Sequence, residues 1–242
     1  MLPIIVLAGG YGTRLGGITA TRPKSLVMIQ ERPFIEYQLD LLYHSGFKDI
    51  YFCLGHMQEQ IIEVLKNYPI KFTLDNQDVG TGKAIEIISK EFNLNNFFVT
   101  YGDSYLEIDY KDVQNKYFQE DKKSLMVIYK NENKNDFSNI EYNGKIINYN
   151  KEHPNKKMNY IDYGISIFNG ECFNVSKKSY DLSFIHKKLI KDGDISDYVA
   201  KNRFYEIGSL SGINDFTNFI RSKNGLSGRI YQRNNFYSKE LG

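Results

Sequence analysis

Arg14, Lys24 and Asp103 are the residues of this 242-residue chain whose types and surroundings are best suited to chemistry. Residues 3–24 read PIIVLAGGYGTRLGGITATRPK. An apolar run from Ile4 to Leu7 stops at Gly9-Gly10, and Gly12-Thr13-Arg14 and Pro23-Lys24 follow. A buried strand would thus feed a loop poor in side chains, its backbone N–H groups exposed and two fixed cations close behind. Polyphosphate needs that combination of peptide donors and positive field. Leu7, Ala8, Gly9, Gly10, Gly12 and Thr13 therefore form a candidate nucleoside triphosphate site. Asp103 follows Gly102 where a second apolar run, within VTYGDSYLEIDY, comes to an end. A carboxylate facing the glycine loop across one sheet edge suits Mg²⁺, which commonly takes one or two protein carboxylates plus phosphate oxygens.

The spacing excludes neighbouring chemistries. It is not G-x-x-x-x-G-K-[ST], the usual kinase or ATPase loop. Nor is it a proper G-x-G-x-x-G, and no acidic residue closes a following strand as a dinucleotide fold requires. The histidines show no Ser-His-acid or metal spacing. His44 falls at a helix end, His56 at a strand-to-helix turn, His153 before Pro154 and His186 on a polar helix, so surface or capping roles are expected.

The elements that must position these groups alternate through the first half of the chain. Strands are expected at Ile4–Leu7, Ile50–Leu54, Ile70–Leu74 and Phe97–Tyr101. Between them, helices are expected from Pro33 at N1 to the Ser45-Gly46 stop, over Gln58–Leu65, and over Gly80–Phe92. Asp109 and Asp112 read as the start of a further helix. Strands separated by single helices imply a parallel sheet with ligands at its carboxyl ends. After about residue 120 the pattern changes. Leu125–Tyr129, Asn139–Tyr142, Lys145–Tyr149 and Tyr163–Phe168 are strand-like, with Asn143-Gly144 a hairpin signal. A helix near Leu182–Lys191, short strands at Ile195–Val199 and Phe204–Ile207, and a helix over Gly212–Ser222 follow. The fold expected is α/β: a Rossmann-like three-layer α/β/α arrangement around a predominantly parallel mixed sheet, with a small acceptor-binding β subdomain. Residues 1–222 form one domain with a nucleotide half (1–120) and an acceptor half (121–222), and 223–242 a polar tail.

The 31 Lys plus Arg against 29 Asp plus Glu leave a net charge of +2, which argues against nucleic acid as a partner. Cys53 and Cys172 are far apart among apolar neighbours and read as two buried thiols rather than a disulfide. No run approaches the ~18 apolar residues of a membrane helix, and the N-terminus lacks a signal-peptide pattern, so a cytoplasmic protein is expected.

The string AGGYGTRL followed by RPKSL closely resembles the signature of the sugar-1-phosphate nucleotidyltransferases, and the later motifs follow in that family's order to about residue 222. The resemblance implies the nucleotide-diphospho-sugar transferase fold and transfer of NMP from an NTP to a sugar 1-phosphate with Mg²⁺. Arg14 would neutralise the β- and γ-phosphates, and Lys24 would hold the α-phosphate. Asp103 would be the principal metal ligand. FYEIGSLSGINDF resembles the segment that completes the metal site, with Glu206 where Asp is usual. Gly80 and Thr81 in DVGTGKAIEI lie where the family approaches the nucleoside base, with Gln77 a base-edge partner and Lys83 in place of a second glycine. Lys151 would hold the sugar phosphate, Asp162 a sugar hydroxyl, and Gly164 would leave room for the pyranose. Asn150 stands where an acid is common. The Y-x-K and I-D-Y-G forms resemble a bacterial branch met among surface-polysaccharide enzymes, which implies guanylyl transfer to a heptose or hexosamine phosphate. NTP and sugar 1-phosphate are the expected partners, and a homodimer is compatible with the polar tail. Two readings from other classes stand beside this one: a cytidylyltransferase for a polyol or choline phosphate, and a non-catalytic nucleotide sensor.

Overall fold

The computed structural model describes residues 1–74, 79–134 and 136–226, with backbone alone for Thr13, Arg14, Ile18 and residues 224–226. Strand β1 (Ile4–Ala8) is followed by a small hairpin, β2 (Met28–Ile29) and β3 (Arg32–Pro33), and by α1 (Phe34–His44). Then come β4 (Ile50–Leu54), α2 (Gln58–Leu65), β5 (Lys71–Leu74), α3 (Thr81–Glu91), β6 (Asn96–Tyr101), β7 (Ser104–Tyr105) and α4 (Tyr110–Gln119). The second half holds β8 (Ser124–Lys130), β9 (Ile140–Tyr142), β10 (Ile146–Tyr149), β11 (Tyr160–Asn169), α5 (Leu182–Asp192), β12 (Ile195–Ala200), β13 (Tyr205–Glu206) and α6 (Leu210–Leu226).

Among the described residues nine strands share one sheet in the order β10-β9-β11-β6-β1-β4-β5, with β8 joined to β11 and β12. The run β6-β1-β4-β5 is parallel throughout. β11 enters antiparallel beside β6 and carries the second half. The result is the mixed α/β sheet that the alternation implied, with the parallel core in the first half. Continuous apolar runs such as IYFCL in β4 are buried along their length because helices cover both faces. One face packs Leu39, Leu42, Phe47, Tyr110 and Val113 against Val6, Phe52 and Phe98. The other packs Ile85, Ile88, Ile185 and Leu189 against Ile5, Tyr51 and Val99.

Local signals set several boundaries. Pro33 sits at the N-cap of α1, one position before the expected N1, with φ −63° and ψ 142°. Asp109 caps α4 by accepting from the Asp112 N–H at 3.0 Å. The Asn143-Gly144 pair joins β9 to β10 as an antiparallel hairpin. α6 begins at Leu210 and runs to Leu226, past residue 222, and its Phe216 and Ile220 are buried in a cluster with Phe34, Tyr37 and Tyr105. Cys53 is buried as expected, Cys172 is only half-buried, and the two are not joined in a disulfide. Among the described residues no helix is long and apolar enough to cross a membrane.

Candidate active site

β1 delivers the glycine loop to the carboxyl edge of the sheet, where it lines a cavity of about 250 Å³. Leu7, Ala8, Gly9, Gly10 and Gly12 form one wall, and Gly80 and Thr81 at the start of α3 another. Lys24 and Asp103 stand together on the rim shared with Tyr101 and Gly102. The structure thus brings together most of the residues expected at the nucleotide. Gln77 and the side chains of Thr13 and Arg14 lie outside the described residues.

Lys24 opens a short 3₁₀ turn, Lys24–Leu26, set by Pro23 at its N-cap with φ −56° and ψ 145°. From there its ammonium donates to Asp103 Oδ2 at 2.5 Å. Asp103 reaches that point because Gly102 lets the β6–β7 turn press against the glycine strand. A Cβ on Gly102 would come within 2.9 Å of the Ala8 Cβ, while the Gly102 N–H donates to the Leu7 carbonyl at 2.9 Å. β13 then pairs with β7 so that Glu206 lies opposite Ser104, and the Ile207 N–H donates to the Asp103 carbonyl at 3.0 Å. Two carboxylate residues separated by about a hundred positions in sequence are thereby brought close, Glu206 on β13 and Asp103 in the turn that enters its partner strand β7.

The start of α3 is fastened from far along the chain. Asp181 Oδ1 accepts from both the Thr81 N–H and its hydroxyl, each at 3.2 Å, and the Thr81 oxygen accepts from the Leu182 N–H at 2.9 Å. Gly82 packs against Tyr180, whose ring a Cβ would meet at 2.5 Å. Lys83 turns to Glu86 at 3.0 Å and does not line the cavity, so its bulk falls beside the cleft rather than in it. Three donors, from Lys83, Lys90 and Tyr180, hold that buried carboxylate. Burial acts against its charge, but these donors prevail and its pKa is lowered.

On the side expected to take the acceptor, Lys151 extends from the end of β10 to Asp162 Oδ2 at 3.1 Å. Its ammonium also lies 3.4 Å from the Tyr101 hydroxyl and 4.9 Å from the centre of that ring. Asp162 is buried on β11 and also accepts from the Gly164 N–H at 2.9 Å and from the Tyr149 hydroxyl at 3.4 Å. Burial disfavours the Asp162 charge, yet Lys151 foremost holds its pKa below the usual carboxylate value. Desolvation works against the Lys151 ammonium too, and Tyr101 and Asp162 outweigh it, raising its pKa well above the ordinary lysine value. Asn150, at the position where the resemblance leads one to look for an acid, accepts from the Glu152 and His153 N–H groups at 3.1 and 3.0 Å and so shapes the turn. Asp162 supplies the negative charge from β11, two strands away in the sheet. Gly164 has φ +91°, at the point where the β11–β8 register shifts between Asp162 and Ser166. The backbone demands glycine here on conformation alone.

His186 departs from expectation. It is 1% exposed, stacked on Phe168 with ring centres 5.3 Å apart and set edge-on to Tyr149 at 5.3 Å. Burial first, with Lys151 adding to it and Asp162 opposing, lowers its pKa to about 4, so the ring is neutral. The lysines at 187, 188 and 191 make α5 read as polar, but Leu182, Ile185, His186 and Leu189 share its inner face at helical spacing. That spacing was the available signal. Tyr101 and Asp181 were also not anticipated. Tyr101 could have been found as the last residue of an apolar strand two positions before Asp103. Asp181 carries no local signal, because its partner is a hundred residues away.

A cleft at the carboxyl edge of a parallel sheet, walled by a glycine loop and closed by a lysine–carboxylate pair, defines an α/β protein of the nucleotide-binding kind. The chain belongs to the nucleotidyl transferase family, whose model matches residues 3–223. It is 32% identical over 243 aligned positions to the bifunctional protein GlmU of Methanococcus maripaludis, covering 93% of this chain and 56% of that one. It is 30% identical to the D-glycero-alpha-D-manno-heptose 1-phosphate guanylyltransferase of Campylobacter jejuni, covering 70% of this chain and 77% of that one. Among solved structures, HddC from Yersinia pseudotuberculosis superposes with a TM-score of 0.77 at 23% identity, over 91% of this chain and all of that one, which supports the fold. The chain spans a little over half the length of GlmU and similar curated relatives. The family resemblance of the sequence motifs is confirmed.

Proposed function

We propose that the protein transfers NMP from an NTP to a sugar 1-phosphate, giving an NDP-sugar and pyrophosphate. The observation that carries this reading is Lys24 against Asp103 at 2.5 Å, on the rim of the glycine-loop cleft and one residue from the strand pair that brings in Glu206. A sugar-phosphate oxygen attacks the α-phosphorus in line. The new P–O bond forms as the bond to the bridging oxygen breaks, and the electron pair leaves with pyrophosphate. The attacking phosphate monoester is already ionised at neutral pH, so the reaction needs no general base. Positioning and charge neutralisation are what remain for the protein.

Glycine-loop N–H groups receive the phosphates, Arg14 offsets charge on the β- and γ-groups, and Lys24 turns from Asp103 to the α-phosphate. Lys151, fixed between Asp162 and Tyr101, holds the acceptor phosphate as a point charge. Asp162 has its oxygens turned to Lys151, Tyr149 and Gly164, so its reach to a sugar hydroxyl would come at the expense of those contacts. Asp103 and Glu206 would hold the divalent ion, taken as Mg²⁺. Two hard oxygen ligands, one on β13 and one in the turn that enters its partner strand β7, match its preference for one or two carboxylates plus phosphate oxygens. Bound there, the ion would supply a Lewis-acid charge for the phosphates.

A heptose or hexosamine 1-phosphate with GTP, serving surface-glycan synthesis in the cytoplasm, is the substrate pair favoured. Similarity to the heptose 1-phosphate guanylyltransferase supports it. The test is pyrophosphate release across the four NTPs and a panel of sugar 1-phosphates, with choline and polyol phosphates included. Release is expected to require Mg²⁺ and both substrates and to be fastest with GTP. Release with choline phosphate in place of every sugar would move the acceptor assignment, and none with any pair would favour a nucleotide sensor.

A further inference from the structure

We propose that Gln38 is a positioning residue that fixes the Gly102-Asp103 turn and, through it, the carboxylates at Asp103 and Glu206. The inference rests on the metal assignment above. Gln38 lies on the inner face of α1 and is 2% exposed. Its Nε2 donates to the Tyr101 carbonyl at 2.8 Å and to the Ser104 carbonyl at 2.7 Å. Those two carbonyls bracket Gly102 and Asp103, so one amide nitrogen closes both ends of the turn. A primary amide carries two N–H donors in a fixed plane, which matches this task.

The turn is also held by Gly102 to β1 and by Asp103 to Ile207, through backbone bonds. Gln38 reaches it from the helix layer. Because Ser104 pairs with Glu206, the clasp bears on both carboxylate residues.

A second observation argues against Gln38 as mere core filling. Its Oε1 is buried and accepts no hydrogen bond among the described residues. An unpaired buried acceptor is costly, and methionine would fill the site without one. The two donated bonds are the gain that offsets this cost. Metal-binding carboxylates must be held within about 0.5 Å of the productive position, and partners one shell out typically set that precision.

The test uses Gln38→Met and Gln38→Asn, with Tyr37→Phe and Asp103→Asn beside them. Tyr37 is next to Gln38 on α1, but its hydroxyl donates to the Ile29 carbonyl at 3.1 Å, away from the turn. Mn²⁺ binding to each protein is read by EPR with the metal alone, alongside thermal melts and steady-state kinetics. Both Gln38 variants should bind Mn²⁺ on the order of tenfold more weakly, with kcat lowered by a similar factor and NTP KM changed less than about twofold. Tyr37→Phe should lower Tm while leaving Mn²⁺ binding unchanged. If Gln38→Met does not fold, Gln38→Asn decides, since its shorter amide stays polar but cannot span both carbonyls. Gln38 variants with lowered Tm yet wild-type Mn²⁺ affinity and kcat would overturn the proposal alone, provided Asp103→Asn has lost the metal. An Asp103→Asn protein that keeps wild-type Mn²⁺ affinity would overturn the metal assignment, and the role of Gln38 with it.

Discussion

At the proposed nucleotide end of the molecule the cleft is walled by Gly9, Gly10, Gly12 and Gly80, and among the described residues the charged side chains lining it are few. At the acceptor end the reverse holds. Lys151, Asp162, Tyr149 and Tyr101 are held by one another, with a buried neutral His186 beneath them. One surface is made of backbone placed by a parallel sheet, the other of side chains placed by mutual contact. A backbone surface tolerates any ligand that presents phosphate oxygens, which suits the part of the reaction common to a family. A side-chain network can be rebuilt by exchanging one partner, as Asp162 in place of an acid at Asn150 illustrates. That suits the part that must differ between acceptors.

The contrast predicts where single changes cost most. With few charges at the nucleotide end, each should carry a large share of the chemistry. Lys24→Ala and Asp103→Asn should each lower turnover ~10²–10³-fold, or about 3–4 kcal/mol of transition-state stabilisation. The fold should survive, because both side chains sit at the rim, 15% and 21% exposed. Pyrophosphate release against a thermal melt reads both quantities. Near-wild-type turnover in either variant would mean that the backbone alone suffices.

The second effect belongs to the acceptor network and concerns stability. His186 has an ordinary pKa of 6.5 when unfolded and about 4 when folded. Well above pH 6.5 neither state takes up a proton there, and the burial carries no protonation cost. As pH falls from 6.5 towards 4 the unfolded chain binds the proton and the folded one does not, so stability is lost across that window. At pH 5 the loss from this residue should be about 2 kcal/mol relative to neutral pH. Urea melts at pH 5 and 7.5 should show it in the wild type and show less of it in His186→Leu. An unchanged acid limb in that variant would remove His186 as the titrating group.

The same contrast explains what the sequence could reveal. Elements of the parallel half were legible because each depends on its own stretch. Ile50–Leu54 is an unbroken apolar run, Gln58–Leu65 has helical spacing, and Gly9-Gly10 announces a loop. Of the cavity lining, the glycine loop, Lys24, Gly80, Thr81 and Asp103 were expected, whereas Tyr11, Cys53, Leu54, Ala84, Tyr101 and Asp181 were not. The network at Lys151 was legible only in part. Its geometry depends on how β10, β11 and α5 come together, and no local pattern encodes that Asp162 turns inward, although the helical spacing of Leu182, Ile185, His186 and Leu189 did point to the inner face of α5. Asp181 at Thr81 and Gln38 at the Asp103 turn were hidden for the same reason, since each acts on a segment more than sixty residues away. The middle of α6, Gly212–Ser222, was legible in the sequence. Its seat on the protein depends on contacts of Phe216 with Phe34 and Tyr105 that no composition rule supplies.

The smallest expected effect tests the one side chain that belongs to both surfaces. Tyr101 lines the nucleotide cavity, and its hydroxyl receives the Lys151 ammonium at 3.4 Å. Burial foremost raises the phenol pKa, with Lys151 opposing, so the hydroxyl stays protonated at neutral pH and can accept without carrying charge. Tyr101→Phe deletes that acceptor and keeps the ring, which still faces the ammonium at 4.9 Å. The loss should therefore be about 0.5–1 kcal/mol, roughly two- to fivefold. It should fall on the acceptor KM and leave the NTP KM unchanged, because the hydroxyl points to Lys151 while the ring goes on lining the cavity. Equal shifts in both constants would mean that the two surfaces are one structure, and that the division drawn between them is wrong at its joint.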